Sequence, residues 1–130
     1  MSNADVAREY IRAIEGGATG EALARFYTPD VVFTEMPNRF MPKGSTSDLA
    51  KMLQRAEMGQ RIMRSQTYRI TKVIAEGDTV ALEIDWTGIT AVEIQGLPAG
   101  SEMRDHAAVF LDFREGLIAR QRYYDCFEPW

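Results

Sequence analysis

Residues Glu102 to Trp130, EMRDHAAVFLDFREGLIARQRYYDCFEPW, constrain the fold more than any other stretch. Two apolar, β-prone runs, Met103 to Phe113 and Leu117 to Phe127, flank Arg114-Glu115-Gly116, where glycine supplies the positive φ of a tight hairpin. The first run is apolar on both alternating faces, with Ala107, Val109, Leu111 and Phe113 on one and Ala108 and Phe110 on the other. A strand of that kind is covered on both sides. Helices, further strands or a second subunit must supply the cover.

The remaining chain supplies it in order. Val6, Tyr10, Ile11 and Ile14 recur at helical spacing, which predicts an amphipathic helix from Asn3 or Asp5 to Ile14, ended by Gly16-Gly17. Thr19 caps a second, shorter helix to about Tyr27, closed by Thr28-Pro29. Asp30 to Met36 reads as a strand. The proline- and glycine-rich MPNRFMPKG is a loop leading to Ser45 or Ser47 as the cap of a third helix, about Asp48 to Met58 or a little beyond. Past Met63 the period becomes two, with strands at Gln66 to Ala75 and Thr79 to Thr87 joined by Glu76-Gly77-Asp78. In the second of these Val80, Leu82, Ile84 and Trp86 face the core, while Glu83 and Asp85 face water.

Segregated helices followed by an antiparallel meander predict an α+β domain, here a single one over residues 1–130 with no repeat or linker. Its 45% hydrophobic and 26% charged residues are those of a globular chain, and the net charge of −4 with scattered Lys and Arg argues against nucleic acid. One cysteine, Cys126, excludes an internal disulfide. With no 18-residue apolar span or leader-like segment, the expected setting is the cytoplasm, with no membrane partner.

The element order, together with Glu35-Met36-Pro37-Asn38, Ala75-Glu76-Gly77-Asp78, Leu97-Pro98-Ala99-Gly100 and Arg122-Tyr123-Tyr124-Asp125, resembles the nuclear transport factor two-like superfamily, and within it the SnoaL-like polyketide cyclase group. The resemblance spans nearly the whole chain. It implies a cone-shaped, mostly antiparallel curved sheet wrapped around three helices, an apolar cavity, and commonly a homodimer. It leaves the chemistry open, because the superfamily holds isomerases, hydrolases, cyclases and non-enzymes. By the same resemblance Tyr10 falls at an oxyanion-hole tyrosine of ketosteroid isomerases and Glu35, allowing one inserted residue, at their carboxylate base. The second oxyanion donor falls at Ala108 and is missing. The arginine and aspartates of limonene-type epoxide hydrolases fall near Ile84, Trp86 and Arg122, so that constellation is absent.

On chemistry alone, Tyr10 either donates to a ligand carbonyl or packs in the core with a satisfied hydroxyl. Glu35 sits among Val32, Phe33, Met36 and Pro37, surroundings that raise a carboxyl pKa, unless it pairs with Arg39. His106, the one histidine, shares a face with Ala108 and Phe110, the inward face if the Ala108 alignment holds. These three are the candidate acid/base and donor groups. Phe40, Met36, Met52, Trp86, Arg122 and Tyr124 are candidate ligand contacts, Phe40 and the methionines forming an adaptable apolar roof. Arg122 holds an acidic ligand group or pairs with Glu35 or Asp112. Asp125 is a candidate general acid or a hydrogen-bonding strand-end residue. No metal-ligand set, phosphate loop or nucleotide fingerprint is present, so no cofactor is expected.

Two functions follow. One is an enzyme moving a proton beside the carbonyl of a small hydrophobic molecule; the other is a non-catalytic ligand-binding or dimerising module. A Glu35 pointing into bulk solvent, or a His106 facing the dimer contact instead of the cone, rules out the enzyme built on these three groups and makes the module the better account. Ala107, Val109 and Leu111 with Tyr123 and Phe127 are expected on the sheet's outer face, which predicts a two-fold homodimer there.

Overall fold

The computed structural model describes residues 1–130 and orders the chain as α1 (Asn3–Glu15), α2 (Gly20–Ala24), β1 (Tyr27–Glu35), β2 (Ser45–Ser47), α3 (Leu49–Ile62), β3 (Met63–Glu76), β4 (Thr79–Thr90), β5 (Glu102–Arg114) and β6 (Leu117–Tyr124). The fold is α+β. One six-stranded sheet, ordered β2-β1-β6-β5-β4-β3, is antiparallel except where β1 runs parallel to β6. The helices lie on its concave face. No helix is long and apolar enough to cross a membrane.

Local chemistry sets the element ends. Ser2 and Asp5 cap α1 reciprocally, each side chain accepting the other's backbone N–H. Asp48, not Ser45 or Ser47, caps α3 by accepting the Lys51 N–H at 2.9 Å. The two serines are used otherwise: Ser45-Thr46-Ser47 forms the short strand β2 against the free edge of β1. The second helix stops at Ala24, and Tyr27 already begins β1. The loop between β1 and β2 turns back so closely that a Cβ on Gly44, at φ 68°, would lie 2.7 Å from the Glu35 carbonyl oxygen. In the final hairpin Glu115 and Gly116 both take positive φ, 52° and 79°, the twist a two-residue connection requires.

The core forms between Ala7, Tyr10 and Ile11 of α1 and the inner sheet face, where Val80, Leu82 and Ile84 of β4 are at most 2% exposed. Trp86 shares that face, so the sequence register of β4 holds. The faces of the last hairpin are the reverse of the expectation. Leu82 lies opposite Val109, Ile84 opposite Ala107 and Val80 opposite Leu111, and cross-strand partners share a face. Ala107, Val109 and Leu111 are therefore buried under the helices, at most 2% exposed. Ala108 and Phe110 face outward. One consequence is that the apolar surface expected to build a dimer on the outer face belongs to the core instead. Outside, Phe110 is flanked by the Tyr124 ring, with centroids 5.8 Å apart, and by the Arg122 guanidinium.

Candidate functional site

A cavity of about 310 Å³ lies between α1, α3 and the concave sheet face. Its apolar lining is mainly aromatic, including Tyr10, Tyr27, Phe33, Tyr68, Trp86 and Phe127, and Met52 is the one methionine in it. The other methionines lie elsewhere. Met36 belongs to the loop after β1, where its N–H donates to the Tyr123 carbonyl at 2.9 Å, and Met58 is half exposed. Phe40 stands behind the wall, packing edge-on against Phe127 with ring centroids 4.9 Å apart and beside Trp130 at 5.5 Å. The roof of Phe40 and methionines is thus a wall of rings in which only Met52 takes the expected part.

Tyr10 reaches the cavity with its hydroxyl engaged. It donates to Gln121 Oε1 at 2.7 Å and shares a short hydrogen bond with the Tyr27 hydroxyl. Burial pushes its phenol up to about 12 and that of Tyr27 well above the ordinary value. With its single proton committed to Gln121, Tyr10 is a structural member of the wall in this conformation. Trp86 is held in the opposite wall by its indole N–H, which donates to Gln66 Oε1 at 3.0 Å, an acceptor it shares with the Tyr68 hydroxyl at 3.1 Å. Gly88 makes this placement feasible, because a Cβ there would overlap the Trp86 ring.

Glu35, the last residue of β1, points into the cavity and not into bulk solvent. Its partner is Arg55 of α3, at 3.5 Å, rather than Arg39, whose guanidinium stacks on Trp130. Burial pushes the Glu35 carboxyl up, opposed by the Arg55 charge.

His106 is outside. It follows Asp105 on β5, and since Ala107 and Val109 point inward, alternation turns His106 to the outer surface with Ala108. Its Nδ1 lies 2.9 Å from Asp85 and its Nε2 lies 2.8 Å from Glu128. Arg122 and Tyr124 are outside for the same reason, because Phe110 is opposite Arg122 and Ala108 opposite Tyr124. The Arg122 guanidinium pairs with Asp112 at 2.7 Å and has no route to a ligand in the cone. Tyr10, Glu35 and His106 therefore do not converge, and the acid/base arrangement that used His106 is withdrawn.

The same alternation brings in Asp105, which the sequence reading passed over, Tyr123 and Phe127, which it expected on the outer face, and Asp125, its candidate general acid. Asp105 is 4% exposed on the inner face of β5. Tyr123, Asp125 and Phe127 alternate inward from β6 and its continuation, and all three line the cavity. The Asp125 carboxyl lies beside that of Asp105. Burial pushes Asp125 up to about 9, with the neighbouring Asp105 carboxyl and the Glu35 charge acting in the same direction. Asp105 in turn accepts the Cys126 backbone N–H at 2.7 Å. Two neighbouring carboxyls, Asp105 and Asp125, thus stand in one cavity with a third, that of Glu35. The signal was a carboxylate in phase with Ala107, Val109 and Leu111, legible once the phase of β5 is known.

A family model for the SnoaL-like domain matches residues 7–121. Among solved structures, the chain is similar to IdmH, a proposed polyketide cyclase of Streptomyces antibioticus, at 20% identity over 96% of this chain and 92% of that one, with a TM-score of 0.82. It is also similar to AclR, a proposed hydroxylase of Streptomyces galilaeus, at 21% identity over 95% and 88% with a TM-score of 0.79. A proposed polyketide cyclase of Acidithiobacillus ferrooxidans is 22% identical over 95% and 88%, with a TM-score of 0.75. At these identities the likeness is one of fold. No curated protein matches the chain.

Proposed function

The chain belongs to the SnoaL-like domain family, and on that premise we propose that its cone binds a small hydrophobic carbonyl compound and moves a proton beside the carbonyl, as an isomerase or cyclase would. The observation that carries this reading is the neighbouring carboxyls of Asp105 and Asp125, together with Glu35, in one cavity walled by aromatic rings. A passive apolar cavity has no need of three carboxyls, each of which costs desolvation. The names of the similar cyclases point the same way.

The roles divide by environment. Asp125, protonated, donates to the carbonyl oxygen. Glu35 takes the proton from the adjacent carbon, and the C–H electron pair becomes the C=C bond of an enol whose oxygen is held by Asp125. Returning the proton at another carbon isomerises the ligand; attack of the enol carbon on a second carbonyl closes a ring. The rings of Tyr68, Trp86 and Phe127 suit a flat, apolar ligand, and the carboxyls disfavour an anionic one.

The test is exchange of the α-hydrogen of planar hydrophobic β-dicarbonyl compounds for deuterium, followed by NMR. Asp125→Asn and Glu35→Gln are expected to slow protein-catalysed exchange by about 10²- to 10⁴-fold each. A second reading, the non-catalytic binding module, is favoured by the outward His106 and the engaged Tyr10 hydroxyl. It takes over if the wild-type chain binds these compounds yet exchanges their hydrogens no faster than buffer does. We also propose a two-fold homodimer through the outer sheet face around Phe110, Tyr124 and Val32, the last two 38% and 40% exposed. A monomeric mass at micromolar protein overturns it.

A further inference from the structure

The segment after β6 reaches the cavity with little backbone support. β6 proper ends at Tyr124, and the chain then keeps its register against β5 through a single bridge, Asp105 opposite Phe127, as Ala108 is opposite Tyr124. That bridge consists of two backbone hydrogen bonds, from His106 N–H to the Cys126 carbonyl at 3.0 Å and from Glu128 N–H to the Arg104 carbonyl at 2.9 Å. Inward, this segment delivers Asp125 and Phe127 to the cavity. Outward, it places Glu128 against His106.

The His106 ring lies between two carboxylates, with Nδ1 on Asp85 and Nε2 on Glu128. A neutral imidazole has one N–H and one lone pair, so it satisfies only one of these oxygens; the imidazolium, with two N–H groups, satisfies both. Losing the proton leaves a ring lone pair facing a carboxylate. β4 cannot move away, because it is paired along both edges and Asp85 is held by Arg69 at 2.6 Å. The segment carrying Glu128 can.

We propose that His106 is a positioning residue: as an imidazolium it clamps the segment from Asp125 to Trp130 onto β5 and so holds Asp125 and Phe127 in the cavity, and its deprotonation loosens both. The clamp does not depend on which reaction the cavity supports. The charged groups around the ring are Asp85 and Glu83 from β4, Arg69 from β3, Arg104 and Glu102 from β5, and Glu128 from the segment, with Tyr124 and Cys126 alongside. The hydrogen bonds to Asp85 and then Glu128 raise the His106 pKa above its ordinary 6.5. A raised histidine contributes its full stabilisation below the ordinary value and loses it as pH climbs through the folded-state value. The segment is therefore tight in mild acid and looser in alkali.

Amide hydrogen exchange on the full chain reads this directly, as protection factors that remove the intrinsic pH dependence of exchange. At the Cys126 and Glu128 amides the wild type is expected to lose about two- to fivefold more protection than His106→Gln between pH 5.5 and 9, the scale of one exposed ion pair, over the loss that Asp125 causes in every variant by titrating in the same window. His106→Gln is expected to start below the wild type at pH 5.5 and to meet it at pH 9, and an equal loss in the two chains overturns the proposal. His106→Arg, a permanent cation with several donors, is expected to match the wild type at pH 5.5 and to exceed it at pH 9. Exchange at Val109 reports that the sheet is intact in each variant. The carboxyl ¹³C titration of Asp125 is expected to move down towards the ordinary carboxylate range in His106→Gln and to be restored in His106→Arg. Equal wild-type protection at the two pH values, or an Asp125 titration unchanged in His106→Gln, overturns the proposal. Neither readout uses turnover, so failure here is separable from failure of the proton-transfer reading, which rests on Asp125→Asn and Glu35→Gln.

Discussion

Tyr10→Phe removes one oxygen from a buried chain of three polar side chains. Tyr10, Tyr27 and Gln121 are 1%, 5% and 2% exposed, and the proton of Tyr10 is donated to Gln121 while its oxygen meets the Tyr27 hydroxyl. The Phe ring keeps the edge-on packing against Phe26 and Tyr27, both 5.5 Å between centroids, so the apolar contribution cancels. What remains is two hydrogen bonds of about 1 kcal/mol each, plus whatever part of the orphaned groups' desolvation is not relieved. The adjoining cavity of about 310 Å³ admits water, which holds that extra cost down. The expected loss is about 2 kcal/mol. With a urea m-value of about 2 kcal/mol per molar, the midpoint falls by roughly 1 M at unchanged m. A cycle with Tyr27→Phe is expected to give a coupling of about 1 kcal/mol, because both substitutions break the same bond. An unchanged midpoint, or strictly additive effects, would show that the hydroxyls do not form this chain and that Tyr10 is free to serve a ligand.

The buried phenols make a second expectation. Tyr10 and Tyr27 are raised by burial, so the stability they contribute is complete below about pH 10 and lost as pH rises towards and beyond 12; a melting temperature that holds level from pH 9 to 12 refutes this. Asp125 works in the same sense over a lower window, its contribution complete below the ordinary 3.8 and lost as pH climbs to about 9. Asp125→Asn is thus expected to flatten the pH dependence of stability and to melt above the wild type near pH 8, as a group kept for function at the expense of the fold. Gly88→Ala is expected to cost about 1 to 3 kcal/mol by overpacking and to push the Trp86 ring into the cavity, seen as weaker ligand binding and a shifted tryptophan emission; unaltered emission and binding would show that the ring has room to yield.

How much of this was legible depends on where the chain states its own phase. In β4 the polar Glu83 and Asp85 alternate with Leu82, Ile84 and Trp86, and the inward face is unmistakable. In β5 both alternating sets are apolar, so periodicity identifies a strand and leaves its inner face undetermined. Only pairing settles it: Leu82 opposite Val109 carries the phase of β4 across, and Val109 opposite Tyr123 carries it on to β6. Every misplaced site residue of the last hairpin follows from that one ambiguity, whereas Phe40 and Met36 lie in or beside the loop after β1, where no periodicity states a face. His106, Arg122 and Tyr124 turn outward together, and Asp105, Tyr123 and Asp125 turn inward together. β2 was hidden for another reason, since three small polar residues carry no pattern of their own and pair because β1 has an open edge.

The inner pair of carboxyls is asymmetric in its supports, and that asymmetry assigns the chemistry. Asp105 stands near the start of β5, where the ladder to β4 pairs it with Trp86, and it accepts a backbone N–H from Cys126. Asp125 stands just past the end of β6, where the backbone is held by few bonds, and its carboxyl leans on Asp105. Burial, with the Asp105 and Glu35 carboxyls beside it, pushes Asp125 up to about 9, so Asp125 keeps its proton at neutral pH. The mobile member of the pair is then the acid, and the donor of the N–H belongs to the same segment that carries it. Any movement that lifts the segment off β5 removes the Cys126 N–H from Asp105 and the Asp125 carboxyl from its partner in one step. Opening of the cavity wall at Phe127 and loss of the poised proton are accordingly one event, which keeps the acid in place only while the aromatic wall is closed around a ligand.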